Sequence, residues 1–95
     1  MNKSELIEAL AQKIDCPLRE ADSITNTVLE AMTETLAQED SIEIRGFGSF
    51  VVRHYDSYHG RNPKTGEKIK VTPKKLPFFK VGKELREMVD KNKNI

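Results

Sequence analysis

Five small groups of residues in this 95-residue chain have types and spacings that suggest chemistry, and four of them fall short. His54 and His59 lie five positions apart, but no cysteine or further histidine stands near them to complete a tetrahedral metal set. They are expected to be exposed surface histidines. Cys16 is the single cysteine, at an apolar position between helical segments and with no base beside it in sequence. A small core residue is the expectation, and a lone thiol excludes an internal disulfide. Gly46-Phe47-Gly48 lacks the third glycine of a dinucleotide fingerprint and does not lead into a helix. In Lys64-Thr65-Gly66 the glycine follows the pair that it should precede in a phosphate loop. The sequence predicts no enzyme, no cofactor, no metal and no small-molecule substrate.

The fifth group, Arg61-Asn62-Pro63, carries a guanidinium, an amide and a rigid apolar ring in consecutive positions. Arg and Asn can hydrogen-bond the acceptors on the floor of a DNA minor groove. Proline has no N–H to desolvate and can slide between base pairs. Asn-Pro also makes ordinary turns, so the groove reading gains weight only from its surroundings. Between Arg53 and Arg86 stand ten basic residues (Arg53, Arg61, Lys64, Lys68, Lys70, Lys74, Lys75, Lys80, Lys83, Arg86) against three acidic ones (Asp56, Glu67, Glu84). A ribbon so charged can follow a phosphate backbone, with counterion release as the driving force. A solvated hairpin that protects a sheet edge accounts for the charge alone at least as well.

The net charge of +1 conceals this division. Residues 1–40 hold three basic and nine acidic residues, a net of −6, and residues 41–95 hold thirteen and six, a net of +7. Such asymmetry suits a chain with one face on a polyanion and the other in water. Hydrophobic residues make up 37% and aromatic residues 6%, with no Trp, so the core is thin for a single domain. No apolar run approaches the ~20 residues of a membrane span. The polar start Met1-Asn2-Lys3-Ser4-Glu5 predicts no signal peptide, hence a cytoplasmic protein.

The elements that must position these residues are legible in the hydrophobic period. Asn2, with Glu5 three positions on, can cap a helix in which Leu6, Ile7, Leu10 and Ile14 share a face. Asp15-Cys16-Pro17 ends it, and Pro17 fits the first turn of a second helix from Leu18 to Ala37. After Asp40 the period becomes two: Ser41 to Arg45, Phe50 to Tyr55, Lys68 to Thr72 and Leu76 to Phe79 read as strands. Gly82 precedes a last helix with Leu85, Met88 and Val89 on one side. The pattern predicts an α+β fold: residues 1–40 helical, 41–53 and 76–81 a small antiparallel body sheet, 54–75 a protruding β-arm, and 82–91 a C-terminal helix. Without the arm, about 70 residues remain to build a core, near the lower limit for a free-standing domain. Phe47, Phe50, Phe78 and Phe79 exceed what one short sheet needs. Two chains sharing one core resolve both difficulties, so an obligate dimer is expected.

Gly46-Phe47-Gly48-Ser49-Phe50, Gly60-Arg61-Asn62-Pro63-Lys64-Thr65-Gly66-Glu67 and Leu76-Pro77-Phe78-Phe79-Lys80-Val81-Gly82-Lys83 resemble the HU and integration host factor family of bacterial DNA-bending proteins. The resemblance covers about the whole chain, and the Gly-Arg-Asn-Pro tip is its most specific part. HU and integration host factor are themselves among the proteins from which the rules of minor-groove architectural binding are drawn. The resemblance implies an intertwined dimer whose arms wrap double-stranded DNA, with Pro63 intercalating at each tip and Arg61 and Asn62 in the groove. It implies backbone contacts from Arg53, Lys64, Lys68, Lys70 and Lys75, and flanking phosphates held by Lys3 and Lys83 at helix starts. Phe47, Phe50 and Phe79 match dimer-core positions.

Within that family, residues 41–50 look most like the β subunit of integration host factor, in which the residues matching Glu43 and Arg45 help read sequence. Ser41 replaces a further Arg of that subunit, and Tyr55 and Tyr58 stand where HU arms often carry Arg. The opening Met1-Asn2-Lys3 is HU-like. The expectation is an HU-like homodimer that bends DNA for nucleoid compaction and assembly of DNA complexes. The alternatives are one subunit of a site-specific heterodimer, or a structural domain whose basic arm grips an acidic protein.

Overall fold

The computed structural model describes residues 1–56, 58–61, 64–66, 68–71 and 73–92, with 58–61, 68–71 and 92 described as backbone. In chain order the elements are α1 (Lys3–Ile14), α2 (Leu18–Ala37), β1 (Ile42–Ile44), β2 (Gly48–Tyr55), β3 (Tyr58–Arg61), β4 (Lys68–Val71), β5 (Lys74–Val81) and α3 (Lys83–Asn92). The strands form an antiparallel sheet of order β1-β2-β5 and a separate two-stranded ribbon, β3-β4. The α+β expectation holds.

α1 opens on a complete capping box. Asn2 Oδ1 accepts the Glu5 N–H at 2.9 Å, and Glu5 Oε1 accepts the Asn2 N–H at 2.9 Å. Pro17 stands one position outside its expected place, as the N-cap of α2 with φ −60° and ψ 148°. Its ring fixes φ, its missing N–H costs nothing there, and its carbonyl accepts the N–H groups of Glu20 and Ala21 at 3.0 and 3.1 Å. α1 and α2 lie against each other where Ile7, Ala21 and Thr25 are buried.

α2 ends in a Schellman motif without glycine. The Asp40 N–H reaches the Thr35 carbonyl at 3.1 Å and the Glu39 N–H reaches Leu36 at 2.9 Å. Glu39 itself takes the left-handed conformation, φ +63°, which favours glycine. In the sheet, β2 and β5 pair from Gly48–Val81 to Tyr55–Lys74, two residue pairs beyond the expected end of the body. Pro77, opposite Val52, is tolerated because β5 is an edge strand and has no outer ladder to serve. The long ladder stops near Pro73, and the ribbon pairing resumes at Tyr58–Val71.

The single chain has almost no interior of its own. Ile7 and Ala21 are its only buried hydrophobic residues among those described. It exposes 8360 Å², whereas a compact monomer of this size exposes about 5,500 Å². Its radius of gyration is 19.2 Å, against about 12 Å for a compact chain of this length. The projecting ribbon accounts for part of the excess. Apolar surface accounts for much of the rest: Val28, Leu29, Ile44, Phe47, Phe79 and Val81 are each at least 38% exposed. A second chain would cover these side chains.

Candidate nucleic-acid interface

The register of the sheet sorts its side chains onto two faces with different jobs. Phe50 and Val52 alternate onto the face that they share with Phe79 and Pro77, their cross-strand partners. There the Phe79 ring lies 4.8 Å from Phe50 and 5.4 Å from Phe47, in tilted geometry. Gly48 makes that approach possible: a Cβ on it would lie 2.5 Å from the Lys80 carbonyl oxygen and 2.6 Å from the Phe79 ring. The three aromatic residues expected at the dimer core therefore form one cluster. Phe78, grouped with them on sequence, lies on the opposite face, since adjacent strand residues alternate.

That opposite, outer face carries Ser49, Val51 and Arg53 of β2 beside Lys80 and Phe78 of β5, with Glu43 of β1 opposite Ser49. The Arg53 guanidinium lies over the Phe78 ring, its carbon 3.4 Å from the ring centroid. Arg45 sits in the β1–β2 turn, closed by the Phe47 N–H on the Ile44 carbonyl at 3.0 Å. Gly46 in this turn has φ +85°, a conformation that favours glycine. The Gly82 N–H donates to the Phe47 carbonyl at 2.9 Å, and a Cβ on Gly82 would press on the Phe47 backbone at 3.2 Å. This close approach seats the start of α3, with Lys83, against the turn that carries Arg45. Lys3 stands apart, bordering a depression lined by Asn26, Leu29, Glu30, Thr33 and Glu34 of α2.

The arm residues divide into those with described side chains and those without. Arg61 pairs opposite Lys68 and His59 opposite Lys70 along the β3-β4 ribbon. Lys64 lies in the turn beyond it. Asn62 and Pro63 lie outside the described residues, as does Glu67 of the quoted tip motif. Lys75, expected on phosphate, donates to Glu39 Oε2 at 3.0 Å, and His54 Nε2 lies 3.2 Å from Glu39 Oε1. Both pairs are solvent-exposed and contribute little to stability singly. Their position matters more, because they join the end of α2 to the root of the arm. Sequence inspection missed Glu39: it stands 36 positions from Lys75, and no helical or strand period links them. The Cys16 thiol is pushed above its ordinary value by desolvation and by Glu20, opposite to what an activated nucleophile needs.

The tether has a pH dependence of defined sign. The Lys75 hydrogen bond and charge hold the Glu39 carboxyl below the ordinary value of 4.5, with His54 adding to the effect. A carboxyl depressed in the folded state contributes fully above its unfolded value and loses that contribution as pH falls through its folded one. The tether should thus persist at neutral pH and fail only in acid, below the ordinary carboxylate range. Carboxyl-carbon NMR titration of Glu39 should show this depressed midpoint, and Lys75→Ala should raise it. An unshifted midpoint in the wild-type chain would remove Lys75 as its cause.

Comparison with known proteins gives this geometry its context. The family model described as "Bacterial DNA-binding protein" matches residues 1–90. The integration host factor subunit beta of Cupriavidus pinatubonensis is 52% identical over 93 residues, covering 97% of this chain and 68% of that protein. The subunit of the same name from Dichelobacter nodosus is 48% identical, with 99% of each chain covered. Among solved structures, an Anabaena HU–DNA cocrystal superposes with a TM-score of 0.85 at 39% identity, over 94% of this chain and 97% of that one. A helical base, a saddle of three strands and a basic ribbon, shared over that length, define an architectural DNA-binding protein of a class that acts as dimers on DNA. This chain belongs to the bacterial DNA-binding protein family, that of HU and integration host factor. No helix among its described residues is long and apolar enough to cross a membrane.

Proposed function

We propose that this chain bends double-stranded DNA as a homodimer in the bacterial nucleoid, for compaction and for assembly of DNA complexes, without catalysis. Two arms follow the minor groove, Pro63 wedges a base step at each tip, and Arg61 and Asn62 hydrogen-bond the groove floor. Arg53, Lys64, Lys68, Lys70 and Lys75 meet phosphates along the arm, while Lys3 and Lys83 hold the flanking duplex at helix N-termini. Glu43 and Arg45 contact DNA at the edge of the saddle.

The observation that carries this reading is the division of the sheet. One face is aromatic and waits for a partner chain. The other presents Arg53 and Lys80 and runs into the ribbon that ends at Arg61. A second reading has specific support: relatives named integration host factor subunit beta reach 48–52% identity, which favours a chain that pairs with a different subunit.

Gel mobility shift on random-sequence duplex over a salt series separates these readings. Log K should fall against log salt with a slope of about −0.9 per phosphate neutralised, and Lys83→Ala should lower the slope by roughly one per site lost. Random duplex should compete within about tenfold of any selected sequence for an HU-like homodimer, far short of the ~10³ or more of specific binders. A large preference for one site, lost in Arg45→Ala, would establish the site-specific subunit instead. Absence of any shift at moderate salt would favour an acidic protein partner.

A further inference from the structure

The Arg53–Phe78 stack has no part in the fold's interior. Phe78 is 37% exposed on the outer face, across the sheet from the Phe47, Phe50 and Phe79 cluster. The two residues are diagonal neighbours: Val51 pairs with Phe78, and Arg53 pairs with Leu76. The guanidinium carbon lies over the ring at 3.4 Å from its centroid, a van der Waals separation at which a stacked guanidinium fits best. Stacking engages the faces of a guanidinium and leaves its five N–H groups, which point outward in its plane, open to a bidentate acceptor.

Its neighbour at the arm root is held in the opposite way. Lys75 already donates to Glu39, so a phosphate must displace a carboxylate to reach it. Among the described residues no carboxylate forms an ion pair with Arg53. An aromatic ring can fix an arginine without occupying its donors, whereas a carboxylate fixes a cation by occupying them.

We propose that Phe78 is a positioning residue for DNA binding: its ring holds the Arg53 guanidinium at the root of the arm with its N–H edge free for a backbone phosphate. Resting on the DNA-binding reading above, this adds a residue whose side chain carries no charge and whose effect runs through Arg53. The benefit is preorganisation. An unsupported arginine loses rotamer freedom when it binds, whereas a stacked one has lost much of it beforehand. Lysine cannot substitute at position 53, because an ammonium has neither the planar face nor the fork.

The test is a set of variants titrated onto random-sequence duplex at fixed salt, with thermal melting of each free protein alongside. Phe78→Ala should weaken binding by about five- to thirtyfold per dimer, the range expected when two arginines, each formerly held by an exposed cation–π contact, must instead be ordered on binding. Phe78→Trp and Phe78→Tyr should bind like wild type, whereas Phe78→Leu, which keeps apolar bulk without a π face, should bind like Phe78→Ala. Arg53→Ala should weaken binding, and the double variant Arg53→Ala/Phe78→Ala should bind no worse than Arg53→Ala alone. Rescue by Leu, or additive losses in the double variant, would overturn the proposal while leaving DNA binding intact. Failure of the wild-type protein to bind duplex would overturn the DNA-binding reading itself.

Discussion

Phe79→Ala should leave the chain largely unfolded and monomeric at micromolar concentration. Phe79 is the centre of the inner cluster, 4.8 Å from Phe50 and 5.4 Å from Phe47, and its ring fills the space that Gly48 leaves open. Truncating a buried Phe to Ala costs about 3–5 kcal/mol. A dimer loses two such rings, so the total reaches the size of a typical folding free energy of about 5–15 kcal/mol. In the single chain Phe79 is 38% exposed, so the full cost is felt only when a second copy covers it. Folding and association are then one event, and the wild-type melting temperature should rise with protein concentration. Circular dichroism melts and sedimentation at several concentrations measure both effects. A variant that melts within a few degrees of wild type, and sediments with it, would show that the cluster is not the shared core. Phe78→Ala, on the outer face, should cost far less stability.

The same division explains what the sequence could reveal. Both N-terminal helices were legible because Leu6, Ile7, Leu10 and Ile14, and then Ala21, Ile24 and Val28, repeat at helical spacing. Capping by Asn2 and Glu5 is local, so it too was readable. The sorting of the four Phe residues was not, because it depends on which β5 residue stands opposite Phe50. Once Phe79 takes that place, pleating sends Phe78 to the other side. Glu39 was unreadable for a related reason. Nothing in Gln38-Glu39-Asp40 announces a left-handed turn without glycine, and its partners His54 and Lys75 come from two strands that meet only in the folded sheet. The basic character of the arm was plain from composition. Its stacked arginine needed the register.

Pro63→Ala should bind linear duplex nearly as tightly as wild type and yet lose most of the ability to bend it. The ribbon strands pair as far as Arg61–Lys68, and Asn62 and Pro63 follow Arg61 directly in sequence. Every positive charge survives the substitution, and counterion release is unchanged. What is lost, on the role proposed for Pro63, is a rigid apolar wedge. Unstacking a base step costs a few kcal/mol, repaid when the kinked duplex reaches protein that straight DNA cannot. Without the wedge that exchange does not occur. Ligase-catalysed ring closure of a fragment of ~150 base pairs, about one persistence length, reports this directly, because such a fragment rarely closes unaided. Wild type should accelerate closure strongly, and Pro63→Ala should remove most of the acceleration. Nicked or gapped duplex, already carrying part of the distortion cost, should narrow the difference between the two proteins. Equal closure by both would reduce Pro63 to a turn residue, with the arm acting by charge alone.

The most direct test of an architectural role is energy transfer between dyes at the two ends of a ~35-base-pair random duplex, a length far below the DNA persistence length and therefore nearly straight when free. The protein should be titrated in alone, with its mass on the duplex followed in parallel. Transfer should rise steeply and saturate at two chains per duplex, the ends drawn together by a dimer with an arm on either side. Saturated binding with transfer unchanged from free DNA would contradict the account: the chain would then coat DNA through its charge and not shape it.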